Sequence, residues 1–78
     1  MRIQEPTLRA LATAGSISEL VAQRVDSGDG WVLLVRAGAV QAPLEKQRGG
    51  SRVFRSLDAV AALVDSLGLI EFAVKLRA

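Results

Sequence analysis

The clearest pattern of apolar and polar positions lies in the last third of the chain. There, apolar side chains recur three and four residues apart, which is the spacing of one face of an α-helix. This stripe consists of Leu57, Val60, Ala61, Val64 and Leu67. Ser56 is suited to cap the amino end of the helix and Gly68 to end it. Residues 70–76 then alternate between apolar and other side chains, so they are predicted to form a half-buried strand. The alternating apolar positions are Ile70, Phe72, Val74 and Leu76.

The first half of the chain is predicted to form a helix followed by a hairpin. Pro6 suits the first turn of a helix, where the missing N–H would be unpaired in any case, and Gly15 provides a stop. Residues 17–25 alternate as a strand does. The sequence Asp26-Ser-Gly-Asp-Gly30 is typical of a hairpin turn, because its residues tolerate positive φ angles. Residues 31–35 are apolar on both faces, so this strand is predicted to be central in its sheet.

Two shorter strands are predicted between the hairpin and the last helix. Residues 40–47 place Val40, Ala42 and Leu44 on one face. Pro43 has no N–H to donate, which favours an edge strand or a break at that point. Arg48-Gly-Gly-Ser51 then predicts a second hairpin turn, followed by a fourth strand over residues 52–55.

These elements follow one another in the order α-β-β-β-β-α-β, which predicts a single α+β domain over residues 1–78. We expect a mostly antiparallel sheet of four to five strands with the two helices packed on one face, leaving the other face open to a partner. If the strands at 52–55 and 70–76 are parallel, the crossover between them should be right-handed. A chain this short leaves much of its surface uncovered, so a homodimer would add apolar burial.

The residue types that are missing exclude several classes of function. The chain has no cysteine and no histidine, and therefore neither a disulfide nor the commonest general base and metal ligand. Asp26 and Asp29 are interpreted as turn formers, because the closing glutamate of a calcium loop is missing. No signal peptide is apparent, and the longest apolar runs are far too short for a membrane span. We expect a cytoplasmic protein that is not an enzyme and that uses no cofactor, no metal and no membrane.

Positive charge is concentrated in residues Lys46–Ser56, here called the basic segment. The whole chain carries ten basic and eight acidic residues, a net charge of +2, but this segment contains no carboxylate. Its four cations are Lys46, Arg48, Arg52 and Arg55. They could contact DNA or RNA phosphates, and the glycine turn could offer its backbone N–H groups to an anion. The alternative is a hairpin turn flanked by solvated charges.

Two aromatic residues leave alternatives open. Phe54 lies between two arginines, as a base-stacking aromatic does, or else it faces the core beneath the last helix. Trp31 follows the first hairpin turn directly, where it could anchor a protein partner or pack in the core or on the sheet.

Several motifs together are similar to a known family. They are Gln4-Glu-Pro-Thr-Leu-Arg-Ala-Leu11, Gly30-Trp31, Arg52-Val-Phe-Arg-Ser-Leu-Asp58 before an apolar helix, Leu67-Gly68, and Phe72-x-Val74. This combination resembles the small ParC-type partition-associated proteins encoded on bacterial plasmids and mobile elements. The resemblance implies a cytoplasmic bacterial protein that accompanies plasmid segregation or maintenance, and it brings no catalytic motif with it.

Two functions remain open at this point. The first is an accessory role in plasmid partition or maintenance, with nucleic acid bound through the four cations of the basic segment. The second is a protein–protein interaction module without nucleic-acid contact, which self-associates or docks on a partition protein. Its surfaces would be Trp31, the open side of the sheet, or the edge strand near Pro43.

Overall fold

The computed structural model describes residues 2–77 and contains the predicted elements in the predicted order. Two helices and five strands form the α+β domain. Their bounds are α1 (Glu5–Thr13), β1 (Glu19–Arg24), β2 (Trp31–Ala37), β3 (Val40–Pro43), β4 (Val53–Phe54), α2 (Leu57–Ser66) and β5 (Ala73–Lys75).

Both helices begin and end where their capping residues predict. Helix α1 has its proline in the first turn, and Gly15 follows it with a φ of 69°. At α2, the Ser56 hydroxyl accepts a hydrogen bond of 3.2 Å from the Ala59 N–H. Gly68 follows α2 with a φ of 77°, the left-handed conformation that glycine adopts without strain.

The sheet has the strand order β3-β2-β1-β5. β2 is central, as predicted: β1 lies along one side of it, while β3 and β4 pair with successive parts of it. All of these pairings are antiparallel. β5 joins β1 in parallel, with Val74 opposite Ala22. β3 ends at Pro43, which agrees with the edge position predicted for it.

Two strand predictions were wrong in detail. β4 pairs with β2, not with β3, and only a single bridge between Glu45 and Ser51 joins the two arms of the second turn. Phe54 is buried beside Trp31, so apolar burial, not the turn, sets this pairing. The strand predicted over residues 70–76 extends only over Ala73–Lys75. All three of its residues are exposed, because β5 lies at the outer edge of the sheet.

The crossover from β4 through α2 to β5 does not join neighbouring strands. β4 pairs with β2, β5 pairs with β1, and so β2 and β1 lie between the ends of the crossover. The two strands nevertheless run in the same direction, because β4 and β1 are both antiparallel to β2 and β5 is parallel to β1.

The core lies between the helices and one face of the sheet. Its buried side chains are Ile3, Leu8, Leu20, Ala22, Trp31, Leu33, Val35, Leu44, Phe54, Val60, Leu63 and Val64. On α2, Ala61 was expected in the apolar stripe but is exposed, and Leu63 is buried in its place. The face that packs is therefore centred on Val60 and Val64, where the longer leucine side chain buries more apolar area than alanine would.

The opposite face of the sheet carries a second set of apolar residues, here called the open face. Strand alternation and register place Val21, Val32, Leu34, Pro43 and Val53 on it. All five are half-buried or exposed, and none belongs to the buried core or to the residues packed against it. Val53 is 53% exposed. This agrees with the expectation that the helices cover one face of the sheet.

Candidate functional site

The basic segment starts with a tight turn. The Lys46 N–H donates to the Gly50 carbonyl oxygen at 2.9 Å, and the Gly49 N–H donates to the Lys46 carbonyl oxygen at 3.0 Å. Gly49 and Gly50 have φ angles of 91° and 79°, which side chains with a Cβ rarely adopt. The double glycine therefore determines the course of the turn that carries Arg48 at its tip.

Gln4 fixes this turn to the start of α1. Its side-chain Nε2 donates to the carbonyl oxygens of Lys46 and Gln47, at 3.1 and 3.0 Å. The backbone N–H of Arg52 then donates to the carbonyl oxygen of Leu44 at 2.9 Å. Both ends of the turn are thus held by hydrogen bonds, so the charged side chains project from a defined backbone.

The four predicted cations differ in how available they are. Lys46, Arg48 and Arg55 are exposed, and none of them forms an ion pair within residues 2–77. Arg52 is half-buried, and its Nη1 lies 3.0 Å from Glu5 Oε1. Its guanidinium also lies 4.7 Å from the centre of the Phe54 ring. Three of the four charges are therefore free for an anionic partner, while Arg52 is largely committed to contacts within the fold.

The Glu5 carboxylate responds to this pairing. The hydrogen bond from Arg52 lowers the pKa of Glu5 below its usual value, although partial burial opposes the shift, and Arg9 adds to the lowering. Arg9 Nε lies 3.3 Å from the other Glu5 oxygen. One carboxylate thus holds two guanidinium groups at the amino end of α1, where a negative charge is also favoured by the helix dipole.

A second ion pair at this site could not be predicted from local sequence. Arg2 Nε lies 3.2 Å from Glu45 Oε1, and the Arg2 guanidinium also borders Gly49. The two residues are 43 positions apart, so no local spacing indicates the contact. A groove of about 580 Å³ lies between the start of α1 and the turn, with Glu5, Glu45, Lys46 and Arg52 among its lining residues. Two carboxylates in its wall make the groove itself a poor place for a phosphate, so an anion would fit better on its outer side, beside the exposed cations.

Phe54 and Trp31 are both core residues. Phe54 is 5% exposed and is packed in the core, which confirms the reading that it faces inward and leaves its ring unavailable for stacking a base. Trp31 is 8% exposed and lies 5.0 Å from the Arg24 guanidinium. The structure therefore leaves little of Trp31 for the protein contact predicted for it, because its ring is already used in packing.

Residues 2–77 contain neither a metal-binding cluster nor a membrane-spanning helix. No group of three or more acidic, histidine or cysteine residues there is arranged to hold a metal ion. Neither α1 nor α2 has the length and apolar character that a helix needs to cross a membrane. The features that remain are the exposed cations of the basic segment, the open face and the β5 edge.

The protein is thus a small α+β domain with a basic turn at one sheet edge and an open apolar face. A family model described as ParC-like matches residues 3–78, essentially the whole chain, and the protein belongs to this ParC-like family. This confirms the resemblance predicted from the sequence motifs. No curated protein and no solved structure gives a significant match.

Proposed function

We propose that the protein is a non-catalytic accessory protein of plasmid partition or maintenance that binds DNA or RNA through the basic segment, in the bacterial cytoplasm. Membership in the ParC-like family supports the partition setting. The observation that carries the binding role is the turn that presents Lys46 and Arg48, exposed and unpaired within residues 2–77, on a backbone fixed by Gln4. Arg55, exposed just beyond β4, adds a third charge.

Binding of this kind consists mainly of phosphate contacts. Lys46, Arg48 and Arg55 release condensed counterions when they neutralise phosphates, so affinity falls with salt. Because Arg52 is held by Glu5, we count three contacts, which gives a log–log salt slope of roughly −2 to −3.

Reading of a particular sequence is not part of the proposal. Side chains that recognise base edges are usually carried by an exposed helix that enters the major groove. The exposed side of α2 instead presents Asp58 and Asp65, which would be repelled by the phosphate backbone. The proposed binding is therefore largely independent of sequence.

A fluorescence titration with labelled single- and double-stranded oligonucleotides, at low and at physiological salt, tests the proposal. We expect dissociation constants in the micromolar range at low salt, as is usual for non-specific binding, and steep weakening with salt. Arg48→Glu should weaken binding by about fivefold or more at low salt, since it replaces an attraction to phosphate by a repulsion. The matched control is Arg77→Glu, which changes the net charge equally at an exposed residue outside the basic segment.

Two results would overturn the proposal. One is the absence of binding at low salt. The other is equal weakening by Arg48→Glu and Arg77→Glu, which would mean that only net charge matters. Arg52→Glu is a poorer test, because it would also break the pair with Glu5 and disturb the start of α1.

The alternative function is protein–protein interaction, supported by a different observation, the apolar open face. Contiguous apolar residues on an uncovered sheet face are typical of a binding surface for another protein. Val53 is the most exposed of these residues, so Val53→Asp should abolish capture of a partition protein while leaving oligonucleotide binding unchanged. Capture that persists in Val53→Asp would refute a role for this face.

A further inference from the structure

The outer edge of β5 has no partner strand within residues 2–77, because β5 is the last strand in the sheet order. The opposite edge of the sheet, formed by β3, is less suited to accept a strand. Pro43 ends β3 there without an N–H to offer, and Ile3 bridges Leu44 just beyond it. Of the two edges, β5 with its unpaired backbone groups is therefore the better place for another strand to pair.

The side chains around this edge are unusually apolar for a solvent-facing strand. Ile70 is 95% exposed, Leu76 is 56% exposed and Val74 is 45% exposed. Edge strands normally carry several charges, a proline or a bulge, which prevent them from pairing with a strand of another chain. Here Glu71 and Lys75, which have opposite signs, lie on either side of Ala73, and Arg77 follows the segment.

The order of residues around Ala73 indicates which strand could pair with this edge. Reading outward in both directions, Phe72 and Val74 are apolar, Glu71 and Lys75 have opposite charges, and Ile70 and Leu76 are apolar again. We propose that residues 70–76, of which Ala73–Lys75 already form β5, extend into one strand and pair antiparallel with the same residues of a second copy of this chain, around a two-fold axis at Ala73. In that register each residue faces its counterpart from the other end of the segment.

The faces of the strand agree with this register. Val74 lies opposite Ala22 of β1, which is buried, and Phe72 packs against the core, so both point to the helix side of the sheet. Directly opposite residues of an antiparallel pair lie on the same face. Once residues 70–76 are extended as one strand, the apolar contacts between copies form on the helix side, and the two Glu71–Lys75 ion pairs form on the open side.

A shallow groove supports the apolar contact at each end of the pairing. It has a volume of about 280 Å³ and lies between α2 and residues 69–72. Val64 and Phe72 are in its wall, together with the acidic residues Asp65 and Glu71. In the proposed register Leu76 of the second copy lies beside Ile70, at this groove. A Leu76 side chain that is more than half exposed in the single chain thus gains an apolar surface to contact.

The opposite charges make a second copy the fitting occupant. In the single chain, Glu71 and Lys75 stabilise nothing through ion pairing, since neither forms an ion pair within residues 2–77. Placed at equal distances on either side of Ala73, they satisfy each other twice in a two-fold pair. An isologous contact of this kind requires a self-complementary patch, and this segment is one. A contact of one strand per copy is below the usual size of about 800 Å² per partner, so we expect micromolar affinity.

A charge exchange tests the pairing. Sedimentation velocity should show the wild-type protein passing from monomer to dimer with a dissociation constant on the order of 1–100 µM. Glu71→Lys and Lys75→Glu should each weaken the dimer by about tenfold or more, because each places like charges opposite one another at two positions. The double variant Glu71→Lys/Lys75→Glu restores both ion pairs in reversed sense and should recover most of the affinity.

Two further variants complete the test. Asp26→Lys changes the net charge as Glu71→Lys does, but in the β1–β2 turn, and should leave the dimer intact. Ile70→Ser should weaken the dimer without unfolding the monomer, because this side chain is almost fully exposed. A wild-type protein that stays monomeric up to about 1 mM would overturn the proposal. So would a double variant as weak as the single ones. None of these substitutions lies in the basic segment, so the outcome is independent of nucleic-acid binding.

Discussion

Replacing Gly30 with alanine would test how closely the β1–β2 turn packs against β4. Gly30 is buried and has a φ of 153°. A Cβ at this position would lie 2.5 Å from Val53 Cγ1 and 2.9 Å from the Phe54 carbonyl oxygen. The Val53 side chain is half exposed and can rotate away, but the carbonyl belongs to the backbone. Gly30→Ala therefore requires β4 itself to move.

The expected loss of stability in Gly30→Ala can be worked out by comparison with Gly28, in the same turn. Gly28 has a φ of 82°, and nothing lies within 4 Å of a Cβ built on it. Gly28→Ala should cost only the left-handed backbone conformation, about 1–2 kcal/mol. Gly30→Ala carries a similar backbone cost and adds about 1–3 kcal/mol for overpacking. A domain of this length has a total free energy of unfolding of about 4–12 kcal/mol, so the second change uses up a large part of it.

Urea unfolding at equilibrium measures both changes. Trp31 is the one tryptophan in the chain and is buried, so its fluorescence reports on unfolding, and far-UV circular dichroism provides a probe away from the substitution. We expect Gly30→Ala to lower the free energy of unfolding by about 1–3 kcal/mol more than Gly28→Ala does. Equal losses in the two variants would refute the argument, because they would mean that β4 does not oppose a side chain at position 30.

Two further predictions concern the ends of the helices. The pKa of Glu5 is lowered in the folded protein by Arg52, so the stabilisation from this carboxylate is present at neutral pH and is lost as the pH falls through that lowered pKa. Glu5→Gln should therefore lower the free energy of unfolding at pH 7 by about 0.5 kcal/mol, a value typical of a partly exposed ion pair. At pH 3 the loss should be smaller. A loss that is equal at both pH values would contradict this. Ser56→Ala should lower the free energy of unfolding by about 1 kcal/mol in a thermal or urea denaturation, because the Ala59 N–H loses its acceptor. Ser56→Asp should retain most of the stability. An equal loss in both variants would show that the cap does not act through this hydrogen bond.

The element order was predictable because it is encoded by local signals. A proline in the first turn of α1, the serine cap of α2 and the glycines after both helices act over one or two turns of chain. The predicted edge position of the strand ending at Pro43 also follows from one residue, which lacks the N–H that a central strand needs. Signals of this kind predict local structure without knowledge of the tertiary contacts.

Local signals could not predict which strand β4 pairs with, or which cations of the basic segment form ion pairs. β4 pairs with β2 because Phe54 is buried beside Trp31, and the two residues are 23 positions apart. The partner of Arg52 is Glu5, 47 residues away, and that of Arg2 is Glu45. From sequence, the segment counted as four free cations. In the folded chain, long-range contacts leave three, with two carboxylates close by.

The basic segment and β5 lie at opposite edges of one sheet. The basic segment connects β3 to β4 beside β2, while β5 lies beyond β1 on the other side. Pairing through β5 would therefore leave both copies of the basic segment uncovered, at the two ends of a continuous sheet. Each proposed three-charge contact would be weak alone, but two contacts joined in one dimer would bind the same nucleic acid more tightly, because the first contact raises the effective concentration of the second. Oligonucleotide affinity should then rise as protein concentration passes the dimer dissociation constant. In Glu71→Lys, which weakens the dimer and leaves the basic segment unchanged, that rise should shift to higher concentration.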